Sequence, residues 1–226
     1  GWLQYIDGFQ DTNYEDDFYW FWFKSNGQKI KDTKKTINGK TYVFDENGVM
    51  GYKFKNATLG GEDATAYFNS ASDGSLAKNQ WIWAVPSKEI HAGDNSDDEY
   101  RWFRSDASGK LITGKTKKVN GKWYVFDEVG RMKKGLVYLD KETASDAKFV
   151  EYVDPDAKTS DYIYGHDYPT YLHFFSNDEK NDGSMKTGTV SIELADDTYT
   201  FGFKKTSGHA INGIDSNKLY KAGILQ

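Results

Sequence analysis

The chain has 226 residues, with 34 acidic side chains against 29 basic ones, a net charge of −5 and an isoelectric point near 5.4. The absence of cysteine excludes disulfides, thiolate metal sites and cysteine nucleophiles. Basic runs reach only pairs such as Lys34-Lys35, which argues against a nucleic-acid partner, and no apolar stretch approaches the roughly 20 residues of a membrane-spanning helix.

The apolar residues are unusual in kind. Aromatics (7 Trp, 16 Tyr, 14 Phe) outnumber the 10 Leu, 11 Ile and 10 Val. Leu, Ile, Val and Phe together reach only about a fifth of the chain, close to the level at which folding is in doubt. The aromatic rings compensate, since each buries on the order of 150–250 Å². With 22 Gly and 3 Pro, the composition predicts an all-β protein of small cores and many tight turns. The chain begins at Gly1 with no initiator Met or signal segment; it reads as a piece of a longer or processed protein.

In chain order the predicted elements repeat. A first unit is expected over 18–32, with Trp20-Phe21-Trp22-Phe23 leading to Gly27. A second, over 33–52, runs from Thr33-Lys34-Lys35 through Ile37-Asn38-Gly39-Lys40 to Tyr42-Val43-Phe44-Asp45-Glu46-Asn47-Gly48 and Met50. A polar insertion at about 53–65 precedes a unit at 66–82, with Tyr67-Phe68 leading to Gly74. A second insertion, 86–99, precedes the unit 99–114, in which Tyr100-Arg101-Trp102-Phe103 leads to Gly109. The unit 115–136 nearly superposes on 33–52: Val119-Asn120-Gly121-Lys122-Trp123-Tyr124-Val125-Phe126-Asp127-Glu128 ends in Gly130 and Met132. The longest insertion, 137–170, is expected as loop or extended hairpin, with a short helix near Lys141 to Val150 as the alternative. Units at 171–188 (Leu172 to Phe175, then Gly183) and 196–214 (Phe201 to Phe203, then Gly208) complete about seven.

Each unit reads as a β-hairpin. The aromatic strands alternate, so Trp123 and Val125 share one face while Tyr124 and Phe126 share the other. Asp45-Glu46-Asn47-Gly48 is turn chemistry. A second Gly follows five residues after the first (Gly109 and Gly114, Gly130 and Gly135, Gly183 and Gly188, Gly208 and Gly213), and a mostly apolar residue stands two after it (Leu111, Met132, Met185, Ala210). One hairpin is marginal in water, and stacked neighbours bury both of its faces. The predicted fold is therefore an all-β solenoid of stacked β-hairpin repeats with longer inserted loops. Core packing is expected for Tyr42, Phe44, Phe103, Tyr124, Phe126 and Phe175.

The run Asn120-Gly121-Lys122-Trp123-Tyr124-Val125-Phe126-Asp127-Glu128 with Gly130, Met132 and Gly135 resembles the cell-wall-binding repeats of Gram-positive surface proteins. These comprise the choline-binding, glucan-binding and clostridial toxin-type repeats. The resemblance is strong over 33–52 and 99–136 and partial elsewhere. It implies a non-catalytic, extracellular, cell-wall-associated module that anchors a larger exported protein to choline-bearing teichoic acid or to a polysaccharide such as glucan. The alternative is a structural or adhesive stalk whose repeats have lost ligand binding.

In choline-binding members of that family a Gly-Trp dipeptide and the aromatic strand build a cage that holds a quaternary ammonium by cation–π attraction. Here the dipeptide survives as Gly1-Trp2, is altered at Gly51-Tyr52 and approximated at Gln80-Trp81; Lys115, Leu136, Thr189 and Ile214 stand where an aromatic is needed. The candidate ligand-binding residues, for a cage or for sugar stacking, are Trp2, Trp20, Tyr52, Trp81, Trp83, Tyr100, Trp102 and Trp123. The pattern Thr36-Ile37-Asn38-Gly39-Lys40 before Tyr42 is closer to the glucan- and toxin-type repeats. A homodimer through an end hairpin is a further expectation.

Catalytic motifs are missing: there is no Gly-x-Ser-x-Gly, no His-Glu-x-x-His and no phosphate-cradling loop. No cofactor is implied, and any catalytic domain is expected outside this chain. The acidic segments Asp11 to Asp17 and Asp94 to Glu99 lack the spacing of a calcium loop and read as solvated.

Overall fold

The computed structural model describes residues 1–5, 18–87, 99–154, 156, 158, 171–176 and 182–226. Every regular element among them is a β-strand. They fall into two compact units, Gly1–Leu111 and Ile112–Gln226.

The first unit is a series of two-stranded antiparallel hairpins: β1 (Trp2–Tyr5) with β2 (Tyr19–Trp22), β3 (Thr33–Ile37) with β4 (Lys40–Phe44), β5 (Lys53–Leu59) with β6 (Glu62–Phe68), and β7 (Trp81–Ala84) with β8 (Arg101–Arg104). The second unit opens with the hairpin β9 (Thr116–Val119) and β10 (Lys122–Val125). A four-stranded sheet follows, ordered β12 (Phe149–Tyr152), β11 (Gly135–Leu139), β13 (Tyr171–Phe175), β14 (Met185–Lys186). A five-stranded sheet ends the unit, ordered β15 (Gly188–Glu193), β16 (Thr198–Phe203), β19 (Ile224–Leu225), β18 (Lys218–Lys221), β17 (Gly213–Asp215).

The two near-identical segments fold alike, and their regular hairpins lie upstream of the Asp-containing turn. Ile37 pairs with Lys40 and Val119 with Lys122 across two-residue loops. Both loop residues have positive φ, 49° and 80° at Asn38-Gly39 and 48° and 80° at Asn120-Gly121, as the Asn-Gly turn favoured by twisted hairpins requires. The Asp turn then folds the chain back for a single bridge. Asp45 Oδ1 accepts from Asn47 N at 2.9 Å and Val49 N at 2.8 Å. Asp106 does the same for Ser108 N and Lys110 N, and Asp127 for Val129 N and Arg131 N. The bridges so closed are Phe44 to Met50, Ser105 to Leu111 and Phe126 to Met132, with Phe23 to Lys29, Phe68 to Leu76 and Phe203 to Ala210 as variants.

The residue two after the turn glycine also joins one repeat to another. Its N–H donates to a strand of the preceding repeat: Met50 to Trp20 O, Leu76 to Thr41 O, Leu111 to Thr65 O and Ala210 to Leu172 O, at 2.7–3.0 Å. Its side chain lies against the turn glycine of the next repeat. A methyl group placed on Gly74 would meet Met50 Cε at 2.3 Å, one on Gly109 would meet Leu76 Cδ2 at 2.6 Å, one on Gly183 Met132 Cε at 2.5 Å, and one on Gly208 Met185 Cε at 2.7 Å. Those glycines satisfy two demands at once, a positive φ and the lack of a side chain.

The cores are correspondingly small. Phe54, Ile82, Ala84 and Phe103 make one, and Leu136, Tyr138, Leu172, Phe174, Phe201 and Phe203 belong to the largest. Tyr42, Phe44, Phe103, Phe126 and Phe175 are buried as expected. Tyr124 is only half-buried, because it stands across from Lys117 on the wet side of the β9–β10 hairpin. No helix forms between Lys141 and Val150. There Phe149 enters β12, and the Lys148 amide donates to Asp140 Oδ1 at 2.7 Å. The acidic segments at 11–17 and 94–98 lie outside the described residues.

Candidate aromatic binding surface

Among the described residues, most of the candidate aromatics gather in two clusters of the first unit. The β1–β2 pairing sets Trp2 directly across from Trp22, and alternation puts Trp20 on that same face. Trp2 makes edge-on contacts with Trp22 at 5.2 Å, Tyr42 at 4.9 Å and Trp20 at 6.2 Å between ring centroids. These rings pack on Ile30, Ile37, Phe44 and Met50. The Trp20 indole N–H is buried without an acceptor, a debt of about 1–3 kcal/mol. Trp2, Trp20 and Trp22 are half-buried, packed against one another and against that core.

The second cluster is more exposed. In the β7–β8 hairpin Trp83 stands across from Trp102 and Trp81 across from Arg104, while the intervening pairs are Ile82 with Phe103 and Ala84 with Arg101. Ile82, Ala84 and Phe103 are buried at 3%, 6% and 0% exposure. The other face presents Trp83 at 48% and, just before β8, Tyr100 at 56%, with Trp102 across from Trp83 and Trp81 further along both half-buried. Trp83 stacks on Tyr100 at 5.7 Å with 24° between planes, and lies 4.9 Å from Trp102. Trp81 meets Trp102 edge-on at 6.2 Å. Among the described residues no second sheet layer covers this face, so alternation leaves a strip of adjoining, partly exposed rings.

Arg104 closes one end of the strip. Its guanidinium lies 5.6 Å from the Trp81 ring centroid, and Nη2 donates to Asn79 Oδ1 at 2.8 Å. Partial burial lowers its pKa, and it remains a cation at every relevant pH.

The remaining candidates sit elsewhere. Tyr52 lies between β4 and β5 with the Lys53 ammonium 5.6 Å from its ring, and Trp123 lies in the second unit with the Lys118 ammonium at 5.8 Å. Trp22 and Arg104 escaped the sequence reading. Period-two alternation from Trp20 and from Trp102 points to both. Among the described residues no group of three or more His, Asp or Glu could hold a metal ion.

No family model matches the chain. Glucosyltransferase-S of Streptococcus mutans serotype c is 25% identical over 189 residues, which is 84% of this chain and 11% of that relative's length. The chain thus spans about a tenth of the curated relative it matches. Among solved structures, the fold resembles CbpF in complex with ipratropium, with a TM-score of 0.59, 19% identity, all of this chain and 74% of that one covered. It likewise resembles choline binding protein F from Streptococcus pneumoniae in the presence of a peptidoglycan analogue, with a TM-score of 0.57 and 20% identity, again over all of this chain and 73% of that one. The resemblance carried by residues 120–135 thus extends to the fold of the whole chain.

Proposed function

We propose that this chain is a non-catalytic, extracellular module that binds a cell-wall polymer or other glycan, built as a solenoid of hairpin repeats, with the β7–β8 strip as its sugar-contacting surface. The observation that carries this reading is the two-faced hairpin. One face is buried in the core, and the other holds Trp81, Trp83, Tyr100 and Trp102 side by side, with Trp83 and Tyr100 exposed. Flat exposed rings stack on the C–H faces of pyranoses, which supply apolar contact and leave the hydroxyls to water. The similar proteins are, by name, a choline-binding protein and a glucosyltransferase, which supports a wall-polymer or glucan ligand class.

Geometry favours stacking over a choline cage. A quaternary ammonium needs ring faces arranged around it, each within about 6 Å. In the Trp2 cluster the rings instead touch one another at 4.9–5.2 Å. That mutual packing favours, for those repeats, the second reading of a structural stalk that has lost its ligand. The test is sedimentation with purified Gram-positive walls, competed by soluble α-glucan or by choline. Release by glucan and loss of sedimentation in Trp83→Ala support stacking. Release by choline alone moves the site to a cage, and no sedimentation with any wall leaves the stalk.

A further inference from the structure

Arg104 is an unusual neighbour for a neutral-sugar surface. Its described partners are the neutral Asn79 amide and the Trp81 ring, and no carboxylate of the described residues pairs with it. The chain's other two guanidiniums are paired with carboxylates, Arg101 with Glu99 at 2.8 Å and Arg131 with Asp127 at 2.8 Å. A chain of net charge −5 thus keeps one unneutralised guanidinium at the end of its exposed aromatic strip. The register sets the spacing, because the Trp81–Arg104 pair lies two residues along from the Trp83–Trp102 pair, about 6.5–7 Å away. That distance lets a ring stacked on Trp83 and Trp102 extend a substituent to the guanidinium. Its planar fork matches carboxylate and phosphate oxygens.

We infer that the β7–β8 strip takes an acidic glycan, one whose stacked sugar carries a carboxylate or phosphate group held by Arg104. This rests on the strip being the sugar-contacting surface. The repulsion expected from the overall negative charge is weak here, since charges beyond about 8 Å are screened at physiological ionic strength.

Binding of the full chain to dextran, carboxymethyl-dextran and phosphorylated dextran of matched length tests it by calorimetry. The shared backbone isolates the charge, and the two charged polymers separate carboxylate from phosphate. At least one charged polymer is expected to bind about three- to fivefold tighter than dextran, the range of a solvent-exposed ion pair. The preference should vanish in about 0.5 M salt. Arg104→Gln should bring the charged-to-neutral ratio to about one. Arg104→Lys, which keeps the charge and loses the fork, should give an intermediate ratio. Near-UV circular dichroism verifies the fold of each variant. A ratio of one in the unmodified chain, or a ratio untouched by Arg104→Gln, overturns the acidic-glycan inference while dextran binding upholds the strip. No binding to any of the three polymers overturns the strip reading and this inference with it.

Discussion

Neighbouring residues of β7 and β8 carry opposite duties, so they separate function from stability. Trp83 is 48% exposed and Phe103 fully buried. Trp83→Ala is expected to weaken glycan binding about tenfold, the scale of one aromatic stacking contact of about 1.4 kcal/mol. Its effect on stability should stay at about 0.5–1.5 kcal/mol, the scale of its ring contacts with Tyr100 and Trp102. Phe103→Ala empties a packed core site and should cost about 3–5 kcal/mol. Urea unfolding read beside a binding titration checks both. Asp127 poses a different case, being buried at 4% exposure while it accepts from the Val129 and Arg131 amides and pairs with Arg131 Nε at 2.8 Å and Lys133 Nζ at 3.3 Å. Asp127→Ala should cost about 2–3 kcal/mol, because a charged acceptor of several bonds disappears at once. Trp81, Trp83 and Trp102 were legible as ligand candidates from their type and alternation. The packing of Trp2 against Trp22 and Tyr42 was not, because ring-to-ring contact depends on how β1 meets β2 and β4.

Within an element, the turn glycines fall into two kinds, and alanine substitution tells them apart. At Gly121 a methyl group meets nothing within 4 Å, and only its φ of 80° opposes alanine, for about 1–2 kcal/mol. At Gly109 the φ is 96° and the methyl would press on Leu76 at 2.6–2.9 Å, adding an overpacking cost of about 1–3 kcal/mol. Gly109→Ala should therefore lower the unfolding midpoint clearly more than Gly121→Ala. The repeated glycines and the residue two beyond each were legible as a pattern. Their joint role was not, since nothing in one repeat shows that its Met or Leu sits on the glycine of the next. The regular hairpin was likewise placed on the Asp turn, because its Gly signal is as strong as that of Asn-Gly and only pairing distinguishes them.

The strand β13 holds a pH-sensitive element. His173 is fully buried, with Nδ1 and Nε2 each 2.9 Å from a backbone carbonyl, those of Tyr171 and Glu142. Burial lowers its pKa from the ordinary 6.5 and outweighs the two carbonyls, which favour the protonated ring; nearby His209 adds to the lowering. The folded state therefore binds its proton less readily than the unfolded chain. That contribution to stability is full above about pH 6.5 and is lost as the pH falls from there toward the folded pKa. Unfolding midpoints measured between pH 7 and 5 should decline, and His173→Gln should flatten that slope.

Across the whole molecule, the repeats divide between two compact units, and the tryptophans divide unequally. Trp2, Trp20, Trp22, Trp81, Trp83 and Trp102 lie in the first unit and Trp123 in the second. Tryptophan fluorescence thus reports mainly the first unit, while far-UV circular dichroism reports both. Phe175→Ala, in a core of the second unit formed with Val125, Val137 and Leu139, should shift the dichroism transition and leave most of the fluorescence transition in place. Coincident shifts by both probes would instead mean one cooperative block. The same unequal distribution makes the binding surface directly observable, because each indole N–H gives its own proton resonance. Titration of the chain with soluble glucan is the most direct test: the resonances of Trp81, Trp83 and Trp102 should shift while those of Trp2, Trp20 and Trp22 stay fixed. Shifts confined to Trp2, Trp20 and Trp22, especially with choline, would contradict the stacking surface and place the ligand in the Trp2 cluster instead.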